Sequence, residues 1–158
     1  IKMPKPEVFF GDPRFTISSV GHTYCRMIVG KLLPETVTRA ICLDSDMLIV
    51  ASVKELWCTD MGDHYVAGVD SAPGIKMMEK TLKIEPGTLY CNGGLFLMNL
   101  EAIRRDEVEN RYVNYMKKVF DAGDALGAYE EEVINKCTYP RLLRLPPEYN
   151  LMLSLIHI

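Results

Sequence analysis

Two aspartates separated by one residue are the sharpest chemical feature of the sequence. Asp44 and Asp46 follow the apolar run 39–43, which predicts a buried strand, so both carboxylates are expected at a strand end. Two carboxylates in this position can converge on a hard divalent cation, which commonly shares its other sites between water and substrate phosphates. A calcium loop is excluded because Leu48 and Ile49 stand where that motif requires an oxygen ligand and a glycine. A solvated turn after a strand is the alternative, because the Asp-x-Asp spacing is common.

Alternating strand and helix patterns surround this pair. Strands are predicted at residues 39–43, 64–69, 95–98 and 142–145, with a short extended piece at 8–10. Helices are predicted from residue 23, at 53–57, around 75–82, from 106 and at 129–136, and Glu109 stands where a capping box has its second partner. Residues 90–94 form a polar, glycine-bearing turn. This alternation predicts an α/β sandwich.

Composition limits the class of protein. The chain has 158 residues, 48% of them hydrophobic and 25% charged, which is typical of one globular domain. With 18 Lys+Arg against 21 Asp+Glu and no basic run, nucleic acid is excluded as a partner. No apolar stretch approaches the roughly 20 residues that span a bilayer, so no transmembrane segment is expected.

The cysteines and the first residue bear on the setting of the chain. Five cysteines without CxxC spacing favour buried free thiols and a reducing, cytoplasmic setting, with attachment to the inner face of a membrane left open. Because the sequence begins with Ile1 rather than Met, we expect a piece of a longer chain. The sequence does not indicate the oligomeric state.

Five motifs in sequence order resemble glycosyltransferase family 8, the retaining, nucleotide-sugar-dependent enzymes that include glycogenin and bacterial lipopolysaccharide galactosyltransferases. They are a Tyr-x-Arg helix at 23–27, the Asp-x-Asp strand at 40–50 with Leu56-Trp57, an Asn-Gly-Gly strand at 90–100, an acidic helix start at 130–135 and a Leu-Pro-x-x-Tyr-Asn stretch at 145–150. The resemblance implies a GT-A-type α/β sandwich with a central mixed, mostly parallel sheet. We expect residues 1–158 to be a single partial catalytic domain, incomplete at both ends, with its motifs between 23 and 150.

The resemblance implies a metal-dependent donor site. Asp44 and Asp46 would hold Mn²⁺, or Mg²⁺, which bridges the diphosphate of a UDP-sugar, with Asp46 as the principal ligand and Asp44 also near the ribose. Ser45 would contribute its backbone, and Arg26 would reach the phosphates or the sugar of the donor, since a guanidinium fork suits phosphate. The alternative for Arg26 is a solvated helix residue. His157 follows the last motif too closely to match the family's metal-binding histidine.

The remaining motifs imply contacts to sugars. Asn92, Gly93 and Gly94 would bind the donor sugar, with Asn92 close to the chemistry, and family members often carry Ala where this chain has Gly93. Asp70, at a strand end, would face the acceptor, with a solvated carboxylate as the alternative.

Glu130 and Glu131 stand where the family has Asp and Gln, whose side chains hold the donor sugar near its anomeric carbon. Glu131 and Asn92 are the candidate catalytic residues. Both a front-side route and a covalent glycosyl-enzyme stay open, since the carboxylate of Glu131 can act as the nucleophile. An acidic helix N-terminus, favoured by the helix dipole, is the plain alternative.

The sequence therefore predicts a retaining, Mn²⁺-dependent transferase of a glucosyl or galactosyl group from a UDP-hexose to a saccharide or lipopolysaccharide-like acceptor. Whether this chain is active alone is left open. One alternative is a haloacid-dehalogenase-type phosphotransferase, in which a strand also ends in Asp-x-Asp and the first carboxylate is the nucleophile. Met47 and Leu48 fit that motif poorly. The other is a non-catalytic sugar-binding module with the same fold, which the glutamates at positions 130 and 131 favour.

Overall fold

A computed structural model of the chain describes residues 3–71 and 87–151. The described part is built on a mixed sheet of four strands in the order β1-β3-β2-β4. The strands are β1 (Arg39–Leu43), β2 (Val66–Asp70), β3 (Cys91–Asn99) and β4 (Leu142–Leu145). The α/β class and the mixed sheet are therefore confirmed.

Strand direction decides where the polar residues meet. β3 pairs antiparallel with β1 and with β2, whereas β2 and β4 are parallel. Three of the four described strands, β1, β2 and β4, run in the same direction, as expected for a mostly parallel sheet. However, β3 lies between β1 and β2, so only β2 and β4 form a parallel pair. As a result, β1, β2 and β4 end at the edge of the sheet where β3 begins. Ligands of open α/β sheets bind at the carboxyl ends of such strands.

Short helical turns and two longer helices flank the sheet. The α-helices are α1 (Pro6–Phe9), α2 (Ile17–Val20), α3 (Val29–Leu32), α4 (Lys54–Trp57), α5 (Leu100–Arg105), α6 (Val108–Asp121) and α7 (Tyr129–Thr138), with 3-10 turns at Tyr24–Ile28 and Pro147–Tyr149. The extended piece predicted at residues 8–10 is wrong, because Pro6 starts a helical turn there. The helix predicted from residue 23 begins as the 3-10 turn and continues as one turn of α3. The helix predicted around 75–82 lies outside the described residues.

The two faces of the sheet pack unequally. Side chains alternate along β3, so Phe96 and Met98 join the large core under the helices, while Leu95 and Leu97 join a smaller cluster on the other face. The smaller cluster is covered mainly by α4 and by partly buried side chains. Beside it, the apolar run 47–50 leaves the sheet, and Leu48 is 83% exposed.

The capping box predicted for Glu109 is wrong. Asp106 ends α5, and Glu107 precedes α6 with a left-handed φ of 50° and no side-chain cap. Glu109 instead points inward, accepts the N–H of Lys31 at 3.2 Å and lies 3.5 Å from its Nζ. The sequence pattern fits a cap, but the side chain serves the packing of α3 on α6.

All five cysteines are free thiols, but Cys58 is exposed and only Cys91 is fully buried, so the expectation of buried thiols holds only in part. Among residues 3–71 and 87–151, no helix is both long enough and apolar enough to cross a bilayer.

Candidate active site

Arg26 is the centre of the polar residues at this edge of the sheet. The 3-10 turn Tyr24–Ile28 places its side chain inside the protein, where the residue is 6% exposed. Nη2 donates a hydrogen bond to Oδ1 of Asp44, directly after β1. Nη1 donates to the carbonyl oxygen of Gly93 and lies 3.4 Å from Oε1 of Glu130. One buried cation thereby joins the end of β1, the start of β3 and the first turn of α7.

The charge of Arg26 is matched by two carboxylates of different exposure. The side chain of Asp44 is 39% exposed, whereas that of Glu130 is 9% exposed. Burying a guanidinium carries a large desolvation cost unless it is paired and hydrogen-bonded. The bonds to Asp44, Gly93 and Glu130 meet that condition, so the cluster is held in place before any ligand binds.

Glu131 is fixed beside this cluster by the backbone. Its Oε2 accepts the N–H of Gly93 at 2.5 Å. Burial raises the pKa of Glu131, and the nearby carboxylates of Glu130 and Asp44 add to the increase, whereas the Gly93 N–H and the Tyr90 hydroxyl oppose it. The protonated form is therefore favoured more in Glu131 than in an exposed glutamate.

Asn92 and Gly94 shape the start of β3. The Oδ1 of Asn92 accepts the N–H of Gly94 at 2.9 Å and the Nδ2 of Asn150 at 2.8 Å. A side chain at Gly94 would bring its Cβ to 3.0 Å from both of these side chains. The turn predicted here is wrong, because these residues belong to β3, with a register shift opposite β2. The carbonyl oxygen of Gly94 accepts the N–H of Asp44 at 2.9 Å, which sets the position of that aspartate.

Asp46 and Ser45 contrast with this cluster. Both are exposed, and neither makes a hydrogen bond or ion pair with any residue that the structure describes. No group of three or more His, Cys, Asp and Glu side chains able to hold a metal ion occurs within the described ranges. Carboxylate oxygens suit Mg²⁺ and Mn²⁺, and Asp44 has the hydrogen-bonded geometry common among metal-ligating carboxylates. The pair therefore fits a cation that takes its remaining ligands from substrate and water.

Asp70 lies at the same edge but in a separate ion pair. Its Oδ2 accepts from Nη1 of Arg144, whose side chain is 53% exposed. Its Oδ1 is buried and has no hydrogen-bond partner among the described residues. Although Asp70 pairs with Cys91 in the sheet, no described contact joins its carboxylate to Arg26. His157 lies outside the described residues.

Two asparagines within the motifs were not predicted as site residues. Asn135 is 3% exposed, and its amide accepts the N–H of Cys91 at 2.7 Å and donates to the Cys91 carbonyl at 2.8 Å. It thereby fastens α7 to β3 and sets Glu131 opposite Gly93. An amide directly after Val133 and Ile134 on a buried helix face is the signal that could have revealed it, since buried polar groups need partners. Asn150 is the second, through its bond to Asn92.

A cavity of about 290 Å³ opens beside Arg26. Its other lining residues are mostly apolar and come from the 3-10 turn, α3, β1 and the N-terminal segment: Met3, Cys25, Val29, Leu32, Leu33, Cys42 and Leu43. The cluster around Arg26 therefore has a polar side, at Asp44, and an apolar side.

Solved structures define the class of this fold. A galactosyltransferase, LgtC, in complex with donor and acceptor sugar analogues superposes with a TM-score of 0.73 at 22% identity, over 90% of this chain and 50% of that chain. The glycosyltransferase GlyE of Streptococcus pneumoniae TIGR4 gives a TM-score of 0.66 at 17% identity, over 96% and 38% of the two chains. The fold is therefore of the GT-A glycosyltransferase type.

Sequence comparison gives the family. The model of "Glycosyl transferase family 8" matches residues 11–157, and the chain belongs to that family. General stress protein A of Bacillus subtilis strain 168 is 25% identical over 128 residues, which are 80% of this chain and 44% of that protein. The chain thus spans about half the length, or less, of the relatives it matches.

Proposed function

We propose that this chain carries the nucleotide-sugar donor site of a retaining hexosyltransferase. The donor would be a UDP-hexose, glucosyl or galactosyl, and the acceptor a saccharide, with a lipopolysaccharide-like molecule as one form. The observation that carries this proposal is the Arg26 cluster, which fixes Asp44, Gly93 and Glu130 at the edge where the strands end. Membership of the family supports it. Residues 1–158 would then be one partial catalytic domain.

Asp46 and Asp44 would hold Mn²⁺ or Mg²⁺. Asp46 would be the main ligand because it is exposed and has no protein partner among the described residues. Asp44 would bind with its Oδ1 still hydrogen-bonded by Arg26, and Ser45 would contribute through its backbone. When bound, the cation neutralises the charge on the diphosphate as the nucleotide leaves.

Arg26 would act mainly by positioning rather than by contacting the donor. The resemblance implied a direct contact to phosphate or sugar, but both Nη atoms already bond to protein groups. Holding Asp44, Gly93 and Glu130 in one arrangement reduces the ordering cost when the donor binds.

The sugar would lie against Asn92, Gly94, Glu130 and Glu131. A carboxylate at position 131 accepts hydrogen bonds from sugar hydroxyls and can attack an anomeric carbon. In the covalent route, its oxygen would form the bond to the anomeric carbon as the bond to UDP breaks. The acceptor hydroxyl would then displace that oxygen while its proton passes to the UDP phosphate. In the front-side route, the acceptor attacks while the leaving phosphate takes its proton. LgtC has also been solved as an active-site glutamine-to-glutamate variant, and this chain has glutamate where the family has glutamine.

Asp70 would face the acceptor, with its position set by Arg144.

We propose a cytoplasmic setting for the reaction, because five free cysteines suit a reducing compartment. Family membership argues against the haloacid-dehalogenase alternative. A sugar-binding module without catalysis is the remaining rival, and it predicts binding that needs neither UDP nor metal.

Calorimetric titration of UDP-glucose and UDP-galactose, with and without Mn²⁺, tests the proposal. We expect binding that requires Mn²⁺ and weakens on the order of tenfold or more in Asp46→Asn, because a metal ligand is lost. The matched control is Asp124→Asn, which removes one exposed carboxylate far along the chain and should leave binding unchanged. Binding that is independent of Mn²⁺, or equal in Asp46→Asn and the parent chain, would contradict the proposal.

A further inference from the structure

The contact between Gly93 and Glu131 leaves no room for a side chain. A Cβ built on Gly93 would lie 2.8 Å from Oε2 of Glu131 and 3.5 Å from its Cβ and Cγ. The same Oε2 accepts the Gly93 N–H at 2.5 Å. An alanine at this position would therefore push the carboxylate away from the N–H that holds it.

Gly93 also bonds in the opposite direction. Its carbonyl oxygen accepts from Arg26, and Arg26 in turn donates to Asp44. A displacement of Gly93 away from Glu131 would therefore disturb the residues that hold Asp44. The close approach of Glu131 is specific to Gly93. A Cβ on the next glycine, Gly94, would meet the side chains of Asn92 and Asn150 instead.

We propose that Gly93 is a positioning residue for Glu131, which fixes the carboxylate through its N–H and couples it to the Arg26–Asp44 pair through its carbonyl oxygen. The catalytic meaning of this coupling rests on the proposed function, whereas the coupling itself does not. A carboxylate deprived of its hydrogen bond in a buried site loses more than a neutral amide does.

A second glycine and glutamate provide a matched control far from the site. A Cβ on Gly30 would lie 2.9 Å from Oε1 of Glu109, which accepts the N–H of Lys31. Burial raises the pKa of Glu109, as it does that of Glu131. In both pairs a new Cβ would meet a carboxylate oxygen. Glu109 differs in accepting from Lys31 rather than from the glycine, and only Gly93 and Glu131 belong to the Arg26 cluster.

The experiment is a pair of double-mutant cycles on this chain: Gly93→Ala with Glu131→Gln, and Gly30→Ala with Glu109→Gln. Carboxyl ¹³C NMR gives the pKa of each glutamate. Because the Gly93 N–H opposes the increase in the pKa of Glu131, Gly93→Ala should raise that pKa further. Gly30→Ala should leave the pKa of Glu131 unchanged. A Glu131 pKa that does not move in Gly93→Ala would overturn the proposal.

Urea unfolding and UDP-sugar titration separate the structural role from the functional one. In both cycles, alanine should destabilise the chain less when glutamine replaces the glutamate. In the titration, Glu131→Gln should restore most of the affinity that Gly93→Ala loses, and the Gly30 cycle should leave affinity unchanged. Equal destabilisation by Gly93→Ala in the presence and in the absence of Glu131→Gln would contradict the coupling. If the parent chain binds no UDP-sugar, the proposed function fails, but the pKa and unfolding results still decide the coupling.

Discussion

The two aspartates of the Asp-x-Asp motif are held in different ways. Asp44 accepts a hydrogen bond from Arg26, and its N–H donates to Gly94. Two residues later, Asp46 is exposed and unpaired among the described residues, and the chain continues into Leu48 and Val50, which are 83% and 85% exposed. We call Arg26, Asp44, Gly93 and Glu130 the inner region, and residues 45–50 the outer region. The protein itself pairs the polar groups of the inner region. Asp46 in the outer region has no such partner among the described residues and is open to a ligand. Because the inner region is already ordered, less conformational entropy is lost when the donor binds. The open outer region lets the cation and the donor enter.

The largest effect should follow from removing the arginine of the inner region. Arg26→Met leaves Glu130 and Asp44 without their cation, and breaking a buried pair costs about 3–5 kcal/mol. We expect a loss of about 3 kcal/mol in the free energy of unfolding, because Asp44 is partly exposed. Urea denaturation measures it.

Arg14 provides the control for that variant. It also pairs with two carboxylates, Asp12 and Asp121, but its side chain is 45% exposed. Arg14→Met should therefore destabilise the chain much less than Arg26→Met does. Equal losses in the two variants would show that the inner region is not held more firmly than the surface.

An intermediate effect is expected from pH. Because burial raises the pKa of Glu131 above its ordinary value of 4.5, the folded state binds this proton more tightly than the unfolded state. The resulting stability is fully present below pH 4.5 and is lost as pH rises through the pKa of the folded state. Each unit of the increase corresponds to about 1.4 kcal/mol. Glu131→Gln should remove this part of the decline in unfolding free energy as the pH rises above 4.5.

Glu148→Gln is the control for the pH experiment, since Glu148 is exposed. Its unfolding free energy should follow the parent curve throughout. A Glu131→Gln curve parallel to that of the parent would mean that Glu131 titrates as a surface glutamate does.

The smallest effect is expected from breaking the ion pair between Asp70 and Arg144. Because the side chain of Arg144 is 53% exposed, Arg144→Met should lower the unfolding free energy by less than about 1 kcal/mol. A loss close to that of Arg26→Met, measured in the same urea series, would place Asp70 with the inner region instead of apart from it.

Local patterns predicted the parts of the molecule that depend on local chemistry. The bounds of β1 and β4 are those expected from their apolar runs, and the residues after β1 are polar as predicted. The donor contact of Arg26 was expected from the family resemblance, because a local helix pattern does not show what a side chain bonds to. Its partners Gly93 and Glu130 lie 67 and 104 residues further along the chain, and only the tertiary fold brings them together.

The remaining errors share a physical cause. Residues 92–94 have the composition of a turn, but they are part of β3, where side chains satisfy backbone groups of the two glycines. Glu131 and Arg26 bond to Gly93, and Asn92 bonds to Gly94. Glu109 has the position of a helix cap, but packing turns it toward Lys31. In both cases long-range contacts outweigh a local preference, and a single sequence does not contain those contacts.

Whether Asp44 and Asp46 hold the cation is tested most directly by NMR. Substoichiometric Mn²⁺, added in the presence of UDP, broadens the carboxyl ¹³C signals of the aspartates that lie near it. If the two aspartates hold the cation at the edge of a preassembled cluster, the signals of Asp46 and Asp44 lose intensity first. The signal of Asp124, an exposed aspartate elsewhere on the surface, should then persist. Broadening that spares Asp46, or that affects Asp124 equally, would contradict the account.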